Sequence, residues 1–195
     1  VHIEKSIADH GWKNGWIKPI RPTKKTTKSV AVIGSGPAGL AAAQLINREG
    51  HNTTVFERST KPGGLLRFGI PDFKLEKSIV DQRIHQMEDE GVFFKNGINI
   101  GYDILGSELL KKFDSICLTA GSTVPRDLKV PGRELDGIHF AMEFLVQQNK
   151  SSSGEEILSD QINANGKKVI ILGGGDTGSD CLGISLRQGA FETTQ

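Results

Sequence analysis

The sequence has little of what a disulfide scaffold, a membrane span or a nucleic-acid arm requires. Its 195 residues include two cysteines, Cys117 and Cys181, in neither a CxxC nor a His-rich spacing. That excludes a disulfide framework and speaks against a zinc or iron–sulfur site within this stretch. The longest purely apolar runs, such as Val30–Ile33 and Val169–Leu172, are four or five residues, whereas a bilayer span needs roughly 20. No membrane crossing is expected. Nor is there a surplus of positive charge: 24 Lys and Arg face 23 Asp and Glu, a net of +1. Neutralising phosphates takes a clear basic excess, so no nucleic-acid partner is expected. No serine lies in G-x-S-x-G. The five histidines (His2, His10, His51, His85, His139) lack a paired metal spacing and read as surface or cap residues. The chain opens on Val1 with no leader, which predicts a cytoplasmic piece of a longer polypeptide.

What the sequence has in excess is glycine, 24 of 195 or about 12% against a usual level near 7%. The glycines cluster within a regular alternation of elements. Residues 1–28 read as a short helix over 3–11 and a basic linker with Pro19 and Pro22, a solvated tether. From 29 onward, strands are expected at Val30–Gly34, Thr53–Glu57, Val92–Phe94, Ile98–Ile100, Ser115–Ala120 and Lys168–Leu172. Helices are expected at Pro37–Glu49, Leu75–Glu90, Ser107–Phe113, Phe140–Asn149 and from the last glycine cluster to about Gln188. Strands alternating with helices predict an α/β chain with a doubly wound parallel sheet. The polar stretch 151–166, which begins Ser-Ser-Ser-Gly, divides a domain over 29–150 from the start of a second over 167–195. The acidic run Glu88-Asp89-Glu90 reads as a solvated helix end.

Two glycine clusters carry the chemistry. VAVIGSGPAGLAAAQLINREG places Gly34, Gly36 and Gly39 in GxGxxG between a strand and a helix. The first glycine permits the tight turn, the second lets backbone approach a pyrophosphate, and the third lets helix and strand close up. Ser35 sits within this phosphate turn. The second strand ends in Glu57, 18 residues after Gly39, where a carboxylate can accept both ribose hydroxyls of an adenosine. This is a dinucleotide site of the Rossmann type, open to FAD or NAD. FAD is favoured by the pair Gly63-Gly64 after the ribose strand and by a second motif downstream. That motif, KVIILGGGDTGSDCLGISLRQG, repeats the spacing with Gly173, Gly175 and Gly178. Asp176 and Thr177 there either cap the helix or line the phosphate groove. Cys181 is a core residue or a thiolate at a helix N-terminus. One motif for a flavin and one for a nicotinamide cofactor predict a flavoprotein that takes hydride from a pyridine nucleotide. Cofactors then carry the chemistry, and no catalytic side chain is expected.

GSGPAGLAAA, GGLLRFGIPDFKLEK (63–77), PRDLKVPGRELDGIHFAMEFLVQQNK (125–150) and GGGDTGSDC (173–181) resemble the small subunit family of NADPH-dependent glutamate synthases. The resemblance runs from about Ile3 to Ala190. It implies an electron-input module: NADPH reduces FAD, and electrons leave singly through iron–sulfur clusters to a large subunit that makes glutamate from glutamine and 2-oxoglutarate. By motif, Gly34, Gly36, Pro37, Ala38 and Gly39 would hold the FAD pyrophosphate, and Glu57 with Arg58 its adenosine. Gly64, Leu65 and Arg67 would lie on the flavin side, Ile100 near the adenine, and Ala120-Gly121 close to FAD. Gly173, Gly174, Gly175, Asp176, Thr177 and Gly178 would receive the NADPH pyrophosphate.

The family's cluster-bearing N-terminal domain is not in this sequence, and residues 1–17 resemble only its exit helix. The strand after the second motif, where an Arg pair usually reads the 2′-phosphate, and the C-terminal return to the flavin domain also look absent. The stretch alone is therefore expected to be inactive. Two alternatives stay open: another iron–sulfur flavoprotein reductase subunit of the same group, and a nucleotide-binding module without turnover.

Overall fold

Val30, Ala31, Val32 and Ile33 are apolar on both faces, as a strand covered on both sides of a parallel sheet must be. The computed structural model describes residues 2–155 and 161–195, and in it Ala31 and Val32 are fully buried. The elements in chain order are α1 (His2–Lys13), β1 (Ser29–Ile33), α2 (Pro37–Arg48), β2 (Asn52–Glu57), α3 (Leu65–Phe68), α4 (Lys77–Glu90), β3 (Phe93–Asn96), α5 (Gly106–Lys112), β4 (Ser115–Leu118), α6 (Ala141–Ser152), β5 (Lys168–Ile170), α7 (Asp176–Arg187) and β6 (Glu192–Thr194). The α/β class and the alternation match the sequence reading. The chain forms two compact units, Val1–Pro62 with Asp81–Thr119, and Gly63–Val80 with Ala120–Gln195. These limits differ from a division at 150, because Gly63–Val80 and the segment from Ala120 group with the second glycine motif. Residues 156–160 of the expected linker lie outside the described residues.

In the first unit a four-stranded parallel sheet has the order β3-β2-β1-β4. Ile33 pairs with Phe56 of β2 and Leu118 of β4. The strand order reverses at β1, the position at which doubly wound sheets bind ligands beyond the carboxyl ends of their strands. Below it, Ala31, Phe56 and Leu109 form a core joined by Ile33, Ile98, Ile100, Ile104, Phe113 and Ile116. The Phe56 and Phe113 rings meet edge to face at 5.8 Å. The expected strand Ile98–Ile100 is instead a loop with one bridge, Ile100 to Ile104, because the positive-φ turns at Gly97 and Gly101 bound it on both sides.

Of the acidic run, Glu88 and Asp89 are exposed as expected, but Glu90 is not. Glu90 is 2% exposed and accepts from Arg48 Nε at 2.9 Å, from both Gln44 and Gln86 amides, and from the Ile20 backbone N–H at 3.1 Å. Burial pushes its carboxyl up, but these donors outweigh burial and hold it below the ordinary value. The basic segment is therefore laced down rather than a free tether. Arg21 donates to the Asp89 carbonyl at 2.8 Å, Thr26 N–H to the Gly50 carbonyl at 2.8 Å, and Lys28 Nζ to Asp114 at 2.9 Å.

In the second unit, α6 and α7 bury Phe144, Leu145, Cys181 and Ile184 against Ala141, Met142, Ile162 and Ile171. β5 and β6 pair in parallel, Lys168 with Glu192 through Ile170 with Thr194. The strand expected to be absent after the second motif thus begins within the sequence, and β5-α7-β6 is a complete βαβ unit. Cys181 is core: burial, helped by Asp180, pushes its thiol up to about 11, which excludes the thiolate reading.

Candidate cofactor-binding site

Beyond Ile33 the chain turns at Gly34, whose φ of +100° favours glycine. The turn is pinned from both neighbouring strands. Gly34 N–H donates to the Phe56 carbonyl at 2.8 Å, and Thr119, one residue past β4, donates its N–H to the Ile33 carbonyl at 2.9 Å. The Thr119 hydroxyl reaches the Ile33 and Gly34 carbonyls at 2.9 and 3.1 Å. α2 then rises against β1 so closely that a Cβ on Gly39 would lie 2.9 Å from both the Gly34 carbonyl carbon and Thr119 Oγ1, with the Gly34 oxygen nearer still. Above the turn the situation is opposite: a Cβ on Gly36 would meet nothing within 4 Å. No side chain caps α2 at Gly36, and Pro37 occupies its first turn. An open glycine face under an uncapped helix N-terminus is a site for an anion.

Glu57 closes the site from β2. It is 5% exposed and accepts from the Ser59 N–H at 2.8 Å, the Ser35 N–H at 3.1 Å and the Ser35 hydroxyl. Burial pushes its carboxyl up, yet the Ser35 hydroxyl and the Ser59 and Ser35 N–H groups together hold it below the ordinary value. It is an ionised, buried acceptor. Its oxygens are thus already engaged by Ser35 and Ser59, the Ser59 side chain included, so a ribose hydroxyl at Glu57 would compete with these donors. The donor set fits an adenosine diphosphate moiety, with pyrophosphate over Gly36 and ribose at Glu57. Among the described residues no cluster of His, Cys, Asp and Glu suits a metal ion.

The first unit thus brings together Gly34, Gly36, Pro37, Ala38, Gly39 and Glu57, with Arg58 exposed beside Glu57 and Ile100 half-buried in the apolar core. Thr119 was missed by sequence reasoning, although its place directly after an apolar strand was a usable signal. Gly64, Leu65, Arg67, Ala120, Gly121 and the second motif belong to the second unit. There Gly64 has φ +51°, Leu65 is 56% exposed and Arg67 is buried. In the second motif Gly173 turns with φ +130°. A Cβ on Gly178 would lie 3.1 Å from the Gly173 carbonyl carbon and closer to its oxygen, while Gly173, Gly174 and Gly175 face open space. Asp176 and Thr177 are exposed and do not cap α7, whose N-cap is Gly175 with no side-chain bond. Of the two roles read for them, capping is excluded.

The sequence matches the pyridine nucleotide-disulphide oxidoreductase family over residues 28–190. It is 51% identical over 197 residues to the glutamate synthase [NADPH] small chain of Mycobacterium tuberculosis, covering 99% of this chain and 40% of that protein. It is 50% identical over 191 residues to the glutamate synthase [NADH] of Schizosaccharomyces pombe, covering 96% of this chain and 9% of that protein. Among solved structures, Mycobacterium tuberculosis FprA in complex with NADPH superposes with a TM-score of 0.66 at 26% identity, covering 84% of this chain and 36% of that one. The chain therefore spans well under half the length of these relatives.

Proposed function

This chain belongs to the pyridine nucleotide-disulphide oxidoreductase family, and from that premise we propose that it is the electron-input part of a glutamate synthase small subunit, binding FAD at the first motif and NADPH at the second. FAD held at the first motif would supply two-electron hydride acceptance from NADPH, released as NADP⁺, and one-electron delivery to iron–sulfur clusters. The observation that carries the reading is the open Gly36 face beneath the uncapped start of α2, paired with the buried, ionised Glu57. α2 offers N–H groups and its positive end to the pyrophosphate, Gly34 and Gly39 keep the turn tight, and Glu57 holds the adenosine ribose with Arg58 beside it. A carboxylate in that place repels a 2′-phosphate, which suits FAD. On the family resemblance alone, Ile100 is assigned to the adenine and Gly64, Leu65, Arg67, Ala120 and Gly121 to the flavin.

At the second motif Gly173 to Gly178 receive the NADPH pyrophosphate, with Asp176 and Thr177 lining the groove. No side chain moves a proton; the residues bind, orient and exclude water. The partner is a glutamate synthase large subunit, which uses the electrons to make glutamate from glutamine and 2-oxoglutarate. A cytoplasmic setting is the one the family resemblance implies; among the described residues no helix is long and apolar enough to cross a membrane.

The test is the visible spectrum of the desalted full-length polypeptide supplied with FAD, with Glu57→Gln as control. A retained flavin band, weakened in the variant, supports the assignment; colourless, folded protein overturns it. Titrating the coloured protein anaerobically with NADPH and then NADH decides the nucleotide.

A further inference from the structure

The stretch Gly63–Val80 follows the ribose strand of the first motif in sequence, yet it packs within the second unit. Three independent contacts hold it there. The Asn149 side chain of α6 donates to the Phe68 and Gly69 carbonyls at 3.0 and 3.2 Å. Lys74 forms an ion pair with Asp180 of α7, whose side chain is 10% exposed. Phe73, 41% exposed, lies against α7 at Gly183: the Arg187 guanidinium sits 3.7 Å from its ring centroid, and a Cβ on Gly183 would lie 2.6 Å from Phe73 Cζ at the ring edge.

Glycine in a helix interior costs about 1 kcal/mol relative to alanine, so Gly183 weakens α7 where propensity alone would favour alanine. What the missing Cβ provides is room for the ring. α7 is also the helix whose first turn carries the second glycine motif. One helix is thereby keyed at its start to a dinucleotide motif and, two turns on, to the stretch that begins Gly63-Gly64.

We propose that the Gly183–Phe73 notch is a positioning device that fixes the Gly63–Phe68 stretch on α7 and so sets how the flavin-contacting and NADPH-contacting segments of this unit are held during electron transfer. The inference rests on the cofactor assignment proposed above. Gly183 and Phe73 touch neither cofactor; they act through the segments they hold together. Displacements of about 1 Å between reacting groups can cost up to 10²-fold in rate, and a Cβ at Gly183 pushes the Phe73 ring edge aside by a distance approaching that size.

The test uses the intact flavoprotein, mixed anaerobically with NADPH while the flavin band is followed. Gly183→Ala is expected to slow flavin reduction about tenfold while FAD content and the NADPH dissociation constant stay unchanged. Phe73→Leu, introduced on top of Gly183→Ala, removes the clashing ring edge and is expected to recover at least half of the lost rate. A merely structural role would lower FAD content and thermal stability together and would show no such recovery. Reduction of Gly183→Ala within twofold of wild type, or no recovery in the double variant, overturns the proposal. Where Gly183→Ala fails to retain FAD, single Phe73→Leu and Arg187→Met decide: slowed reduction with intact FAD supports the notch, and wild-type rates in both overturn it. Wild-type protein that holds FAD but is not bleached by NADPH would instead overturn the cofactor assignment, a separate result.

Discussion

Alanine at Gly36 and at Gly39 should give opposite results, although the two glycines are three residues apart in one motif. At Gly39 the new methyl lies 2.9 Å from the Gly34 carbonyl carbon and from Thr119 Oγ1, against an ordinary separation of about 3.5 Å or more. α2 must retreat from β1 by at least roughly 0.6 Å, because the obstacle is backbone and no rotamer change relieves it. Overpacking of this kind costs about 3 kcal/mol at the upper end, of which up to about 1 is returned by the helix propensity of alanine. A net loss near 2 kcal/mol lowers the melting temperature by roughly 4–8 °C for a chain of this size. At Gly36 the backbone has φ −66° and ψ −178°, which any residue adopts, and the methyl meets nothing within 4 Å. The FAD-free protein should melt within about 1 °C of wild type, yet bind FAD at least tenfold more weakly, about 1.4 kcal/mol, because the methyl occupies the pyrophosphate face. Thermal melts with and without FAD separate the two. Wild-type FAD affinity in Gly36→Ala would refute the open face as the phosphate site, and a wild-type melt in Gly39→Ala would refute the close approach of α2 to β1.

Arg48→Met strips the charged partner from buried Glu90 and should cost about 3 kcal/mol in a urea titration; a loss below about 1 kcal/mol would show that the Gln44, Gln86 and Ile20 donors suffice alone. Glu57 titrates below its ordinary 4.5 in the folded protein, so its contribution to stability is complete above that pH and is lost as pH falls through the lowered value. The gap in urea midpoint between wild type and Glu57→Gln should close on acidification, and a gap independent of pH refutes the assignment. Cys181, with its thiol near 11, should remain unalkylated by iodoacetamide in native protein at pH 8 and be labelled after unfolding; native labelling found by mass spectrometry contradicts its burial.

The glycine spacing and the β-branched strands were enough to place β1, α2 and β2, because their determinants are local: a turn that needs positive φ, an Ala-rich helix, an apolar strand. The Glu90 network was not legible, since a D/E run looks the same whether it faces water or the Arg48, Gln44 and Ile20 donors that come from distant parts of the chain. The notch at Gly183 was hidden for a similar reason: its ring comes from a residue 110 positions earlier. Thr119 could have been read, but its hydroxyl acquires meaning only once β4 is known to lie beside β1. Which nucleotide the second motif prefers was not legible, for a reason of register. In the first unit Glu57 lies one step past the pair Ile33–Phe56, opposite Gly34, whereas the pairing of Ile170 with Thr194 puts the position opposite Gly173 after Gln195.

The two motifs share a division of labour that bears on how such chains diverge. Gly39 and Gly178 are each fixed by backbone from their own first turn, so selection for folding alone would keep them glycine. Gly36, Gly174 and Gly175 face open space, so under the proposed reading only a bound nucleotide restrains them. A descendant that lost one nucleotide would be free to drift at those middle positions while its third glycine stayed, leaving a sequence record of which site had fallen silent.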